Sequence, residues 1–234
     1  MSRFDRLIKT LSKDKHPVSL IVLETLMTIA VNRLLTVVSS TLLTLSILIN
    51  TPVSYIAFNG SPTLPLLQEL TIAHGSGNPW SAPAKLLNSF QPLPQLRRLN
   101  LHRFHAWSDA SDFLRCVSRL APEVDIVMLP WIHPGWKGYW DSTMHLESFP
   151  WPSLHVPAKI YIQPPPLPLP SYPQIFYQRI ISECREMAVR DDRLVFITPD
   201  QEPWEFDARE LQNEWVGRIN GNEGCWRTDK AINF

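Results

Sequence analysis

The chain has 234 residues, long enough for one sizeable domain with its own core. Its 22 Lys and Arg residues balance 22 Asp and Glu residues, and this zero net charge argues against a nucleic-acid binder that depends on neutralising phosphates. The three cysteines lie far apart, so they offer neither a disulfide framework nor a Cys-x-x-Cys zinc site, and they indicate a reducing compartment, the cytoplasm or the nucleus.

The start of the chain has the hydrophobic spacing of helices. Residues 4–11 place their apolar side chains on one helical face, which predicts a short amphipathic helix. Residues 18–40 carry a second helical stripe and predict one or two further helices. We therefore predict an N-terminal helical segment over residues 1–40.

An uncharged stretch follows and allows two interpretations. No charged residue occurs between Leu34 and Gln68, and such a run raises the alternative of a single-pass membrane anchor with residues 34–58 inserted. Several prolines and asparagines interrupt the run, and its cleanest part, residues 34–49, is shorter than the roughly 20 residues that a membrane span needs. The same stretch also fits a repeat.

That repeat is the main pattern of the sequence. Residues 93–101 read Leu-Pro-x-Leu-x-x-Leu-x-Leu, and residues 64–72 have the same spacing 29 residues earlier. Residues 41–49 and 122–129 repeat the apolar positions of this motif, and the second of these segments begins with Pro122. A fixed period of this size is typical of a solenoid, in which each repeat buries its apolar face against its neighbours.

The fold predicted from these repeats is α/β, a leucine-rich-repeat solenoid with irregular repeats over residues 41–200. It would have one curved parallel sheet with helices on the convex side. The predicted strands are 45–49, 69–73, 97–102, 124–129, 159–163 and 193–198.

Helices are predicted between and after the strands. Apolar residues recur with helical spacing over residues 109–120, 172–190 and 207–219. Residues 201–234 are predicted to form a C-terminal helical cap, with Trp226 packed against the last repeat.

The candidate binding residues follow from the alternation of side chains along a strand. The strand positions predicted to point outward on the concave face are Glu69, Thr71, Arg98, Asn100 and Asp125. A second candidate is a Trp-rich loop at the rim, because tryptophan is a frequent anchor of protein interfaces. It contains Trp131, Trp136 and Trp140. Both sets favour a protein partner, with no nucleic acid and no cofactor.

No arrangement of residues predicts an enzyme. His102 and His105 could lie near each other, with His74 at the end of the neighbouring predicted strand, but no Cys, Asp or Glu stands beside them in register to complete a zinc site. The carboxylates of residues 200–210 could serve a glycoside hydrolase, yet they stand together where acidic residues are favoured by the start of a helix. We therefore predict a non-enzymatic chain with no metal site, and keep a hydrolase as an alternative.

Residues 64–72, 93–101, 172–190 and 214–226 together resemble a large set of uncharacterised proteins of mushroom-forming fungi, the basidiomycetes. Those proteins have an F-box-like start and a leucine-rich-repeat body. The resemblance implies a substrate-receptor role in a cullin ubiquitin ligase, in which the F-box binds the ligase adaptor and the repeats bind a target protein. The Leu-Pro-x-Glu start of an F-box is not present in residues 1–40.

Overall fold

The computed structural model describes residues 18–23, 28–49, 62–74, 87–102, 110–129, 158–162, 192–197, 208–221 and 226, together with six single positions between 178 and 189. Within these residues the fold is α/β. Seven strands form one parallel sheet in which the spatial order of the strands equals their order in the chain.

The strands are β1 (Val18–Leu23), β2 (Leu42–Ile49), β3 (Glu69–His74), β4 (Arg98–His102), β5 (Ile126–Leu129), β6 (Lys159–Ile162) and β7 (Leu194–Phe196). The helices with defined bounds are α1 (Thr28–Val38), α2 (Ala110–Leu120) and α3 (Ala208–Ile219). All six predicted strands are present, each with ends within three residues of the prediction. The six single positions between 178 and 189 are also helical, as predicted for residues 172–190.

The strand β1 corrects the prediction for the start of the chain. Residues 18–40 were expected to be helical throughout, but Val18–Leu23 is a strand that pairs in parallel with β2. A short apolar run of this kind fits a buried strand as well as a buried helix, and periodicity alone does not separate them. Pairing with β2 decides the outcome, and the sheet therefore begins inside the segment that was predicted to be helical.

The predicted register of the leucine positions is confirmed. Leu70 is paired with Leu99 and Ile72 with Leu101, and Leu99 is in turn paired with Val127. All five side chains are fully buried. Side chains two residues apart lie on the same face of a strand, so these positions form two continuous apolar rows across the sheet, and burial of the rows provides the core.

A tight turn precedes three of the strands at equivalent places. The amide of the fourth residue donates to the carbonyl of the first in residues 64–67, 93–96 and 121–124, at 3.2, 3.1 and 3.2 Å. Proline is the second residue each time, where its fixed φ suits a turn. The Leu-Pro part of the motif therefore specifies a turn, and the later leucines specify the strand.

Backbone hydrogen bonds join each turn to the next. Gln68 donates its amide to the carbonyl of Leu43 at 2.8 Å, and the carbonyl of Gln68 accepts the amide of Arg97 at 2.9 Å. The carbonyl of Arg97 then accepts the amide of Asp125, and that of Asp125 accepts the amide of Lys159, both at 2.9 Å. This ladder extends the sheet beyond its strands and satisfies backbone groups that would otherwise lack partners.

Two helices contribute buried side chains to the core. α2 starts one residue after the predicted start and buries Val117 and Leu120. α1 buries Leu34, Leu35 and Val38, so the uncharged run is divided between a helix and a strand up to Ile49, while residues 50–58 lie outside the described residues. In the described part of the chain, no helix has both the length and the apolar character needed to cross a membrane.

Candidate functional site

The candidate site is the face of the sheet opposite the leucine rows. Glu69 and Thr71 alternate with Leu70 along β3, and Arg98 and Asn100 occupy the register-equivalent positions on β4. These positions are predicted from the sequence to point outward and to contact a partner. In the structure Thr71 and Asn100 are both buried.

Residues of α3 and Trp226 lie on this face. α3 contacts β1 and β2, its residue Arg218 binds Glu69 on β3, and Trp226 packs against residues of β5 and β6. We name residues 208–221 together with Trp226 the C-terminal cover. The C-terminal cover contacts the first strands of the sheet through α3 and the later strands through Trp226. Residues 201–234 were predicted to cap the last repeat, whereas the described part of this segment extends across several strands.

Glu69 is the centre of an ionic cluster beneath the cover. The Nε atom of Arg218 donates to Glu69 Oε2 at 3.1 Å, and its Nη2 atom donates to Oε1, so the guanidinium binds the carboxylate at two points. Arg98 Nη1 donates to the same Oε1 at 3.2 Å. The side chains of Glu69, Arg218 and Arg98 are 13%, 27% and 36% exposed. Two-point guanidinium–carboxylate contacts are strong and directional, so this cluster fixes where α3 lies.

The cover contacts the sheet at two points: the first is the pair of Arg218 and Glu69, and the second is Trp226. It is buried in a cluster with Met128, Tyr161 and Ile197, which lie on or directly after three successive strands. The guanidinium carbon of Arg98 is 5.9 Å from the centre of the Trp226 ring, within the range of a cation–π contact. Arg98 therefore links the ionic cluster to the aromatic one.

Asn100 lies between these two contact points with its hydrogen-bonding capacity unused. It is fully buried, in register with Thr71 on one side and Met128 on the other. Neither its Oδ1 nor its Nδ2 has a hydrogen-bond partner among the described residues. The indole Nε1 of Trp215 in α3 is also buried without one. Unsatisfied buried polar groups cost about 1–3 kcal/mol each, so the covered state carries an energetic penalty at this face.

We expect an Asn100→Leu chain to be more stable than the wild type by about 1 kcal/mol, because leucine has the same branching without the unpaired polar atoms. Urea unfolding followed by circular dichroism measures the difference. The matched control is Asn88→Leu, since the exposed Asn88 accepts a hydrogen bond from Arg119 and should gain nothing. A loss of stability in Asn100→Leu would show that the amide is satisfied.

The remaining predicted contact residues lie elsewhere. Asp125 is 58% exposed on the turn before β5 and forms an ion pair with the exposed Arg97 at 3.8 Å. Arg97 also pairs with Glu123 at 3.2 Å. These residues form a charged rim next to the turns, separate from the covered face. The tryptophan loop with Trp131, Trp136 and Trp140 lies outside the described residues.

The sequence analysis identified Glu69 and Arg98 but missed Arg218 as their partner. Arg218 is 149 residues from Glu69 along the chain, and an arginine on a helix carries no signal of what it binds. Trp226 was expected to pack against the last repeat, and it does contact the end of the sheet at Ile197. The contact of Trp226 could be expected from the sequence because tryptophan is usually buried. The contact between Arg218 and Glu69 had no signal in the sequence.

The described residues contain no cluster of three or more His, Cys, Asp or Glu side chains that could hold a metal ion. Asp200, Glu202, Glu205 and Asp207, considered for a hydrolase, lie outside the described residues. Among the described residues, the candidate site is a covered face of paired charges, apolar side chains and an unpaired amide.

Comparison of the chain with known protein families, with curated proteins and with solved structures gives no match.

Proposed function

We propose that this chain is an irregular leucine-rich-repeat solenoid that acts in the cytoplasm or nucleus as a non-enzymatic protein-recognition module. The observation that supports the proposal most is the repeated turn and strand. Three Leu-Pro or Ala-Pro turns carry the same hydrogen bond, and the strands that follow them lie side by side in register. Stacked repeats of this kind create extended surfaces that bind other proteins.

The charged rim and the tryptophan loop are the proposed contact surfaces in the resting chain. Arg97, Glu123 and Asp125 are about half exposed and present both signs of charge close together. The predicted loop with Trp131, Trp136 and Trp140 comes directly after β5 in the sequence. Tryptophan is enriched at the centres of protein interfaces and polar residues form their rims, so each of the two surfaces has a composition found in interfaces.

The resemblance to F-box-like proteins adds one specific partner to the proposal, the adaptor of a cullin ubiquitin ligase. Such an adaptor would be retained by the chain together with the target protein. A recognition module without a working F-box would retain the target alone.

The proposed function is tested by quantitative affinity capture from cell extract. We expect the wild-type chain to retain at least one protein stoichiometrically, and the Trp131→Ala/Trp136→Ala/Trp140→Ala chain to retain less than about a tenth of it, since interface tryptophans dominate binding energy. The matched control is Val189→Ala, which changes a residue that is 83% exposed and distant in sequence from the loop. Equal retention by all three chains would contradict a role for the loop, and no retained protein would contradict the proposed function.

A further inference from the structure

The C-terminal cover presents two anchors to the sheet in the way that a bound peptide would. Arg218 places a guanidinium on Glu69, and Trp226 places an aromatic ring among Met128, Tyr161 and Ile197. Arginine and tryptophan are the side chains that most often dominate protein interfaces. The face beneath the cover thus has one acidic point and one apolar point.

We propose that this face is a recognition site for a peptide segment that carries an arginine followed by an aromatic residue, and that the C-terminal cover occupies the site in place of that segment. The proposal rests on the proposed function, because it names the class of partner that the recognition module takes. A target with the same two anchors would displace the cover, so the free chain is autoinhibited.

The distance between the acidic point and the apolar point sets the distance between the arginine and the aromatic side chain of the partner. Glu69 is on β3, while Met128 and Tyr161 are on β5 and β6, two and three strands away. Neighbouring strands are about 4.8 Å apart, so the guanidinium and the ring of the partner must be roughly 10–15 Å apart. In the cover, α3 ends at Ile219, and Gly221, whose φ of 83° suits the turn after a helix, lies between the two anchors in the sequence.

The unsatisfied groups at the site favour an exchange of partners. The Asn100 amide is buried on β4, the strand between Glu69 on β3 and Met128 on β5, and neither it nor Trp215 Nε1 in the cover has a hydrogen-bond partner among the described residues. An incoming segment that offers Asn100 a backbone amide and carbonyl would recover this lost hydrogen bonding, as the cover does not. The cover has the advantage of being tethered, since a tethered segment competes at an effective concentration of the order of millimolar.

The test uses the full-length chain and a fluorescent peptide with the sequence of residues 208–226, carrying Cys225→Ser. Anisotropy titrations compare the wild type with Arg218→Ala/Trp226→Ala, in which the cover is weakened. We expect the peptide to bind this variant at least tenfold more tightly than the wild type, because the tethered competitor is lost. A peptide with Arg218→Gln and Trp226→Ala should bind neither chain.

Three further chains make the result decisive. Arg97→Ala removes an exposed arginine outside the site and should bind the peptide as weakly as the wild type. Arg218→Lys keeps the charge but not the two-point contact, and should raise peptide affinity about threefold even if the double variant does not fold. Adding Glu69→Arg to Arg218→Lys should reduce peptide binding to that of the anchorless peptide.

Equal peptide affinity for the wild type and Arg218→Lys would overturn the proposal, and so would binding that is unaffected by Glu69→Arg. A wild-type dimer that Arg218→Ala/Trp226→Ala converts to a monomer would also overturn it, because the segment would then come from a second copy. These outcomes are separate from failure of the proposed function, which is read from capture of other proteins and not from the peptide.

Discussion

A Leu99→Ala chain should lose about 2–5 kcal/mol of unfolding free energy, the usual cost of truncating a fully buried leucine. Leu99 is paired with Leu70 on one side and Val127 on the other, and all three are fully buried. Both neighbours belong to rigid strands, so the cavity left by the substitution cannot collapse easily. Since small domains are stable by only about 5–15 kcal/mol, the loss would be visible as a large shift of the unfolding midpoint.

Urea denaturation followed by far-ultraviolet circular dichroism measures this loss. The matched control is Leu66→Ala, in the turn that precedes β3, where the side chain is 37% exposed. We expect this control to change the unfolding free energy by less than about 1 kcal/mol. Similar losses in the two chains would mean that Leu99 is not in a packed core and would contradict the paired apolar rows.

Glu69→Ala should have the second-largest effect, a loss of about 2 kcal/mol. The substitution leaves Arg98 and Arg218 facing each other with no carboxylate between them, and removing one partner of a buried ion pair is strongly destabilising. The expected value is below that for fully buried pairs, because both arginines retain about a third of their exposure to water.

The matched control is Glu123→Ala, which removes an exposed carboxylate that Arg97 binds at 3.2 Å. Exposed pairs of this kind contribute about 0.2–1 kcal/mol, so the control should be nearly neutral. A double-mutant cycle with Arg218→Ala isolates the contact between sheet and cover, and we expect a coupling energy above about 1 kcal/mol. Additive losses would show that Glu69 and Arg218 do not interact in solution.

The strand register could be predicted from the sequence because its cause is local and repetitive. A proline at the second position of each turn and leucines at fixed distances after it determine where a strand starts and which side is buried. The strand β1 has no such turn, and its apolar run also fits a helix. Its place in the sheet is decided by pairing with β2, which is a tertiary effect that a pattern does not report.

The burial of the opposite face could not be predicted for a related reason. Thr71 and Asn100 alternate with leucines, and polar residues in that position usually face water. Both are buried by tertiary packing, and the residues that lie on this face, Arg218 of α3 and Trp226, are distant in the chain and carry no motif that matches it. Hydrophobic periodicity thus identified the first layer of packing on the sheet, but not the second.

The contact between Glu69 and Arg218 has a consequence for how the protein assembles. Glu69 reaches Arg98 across 29 residues but Arg218 across 149, and the longer closure costs about 1.5 kcal/mol more chain entropy. Synthesis of those 149 residues at 5–20 residues per second takes roughly 7–30 s. During that interval the nascent chain on the ribosome contains Glu69 but not yet the arginine that covers it. A chaperone or a cotranslational partner could therefore bind this face of the sheet before Arg218 is synthesised.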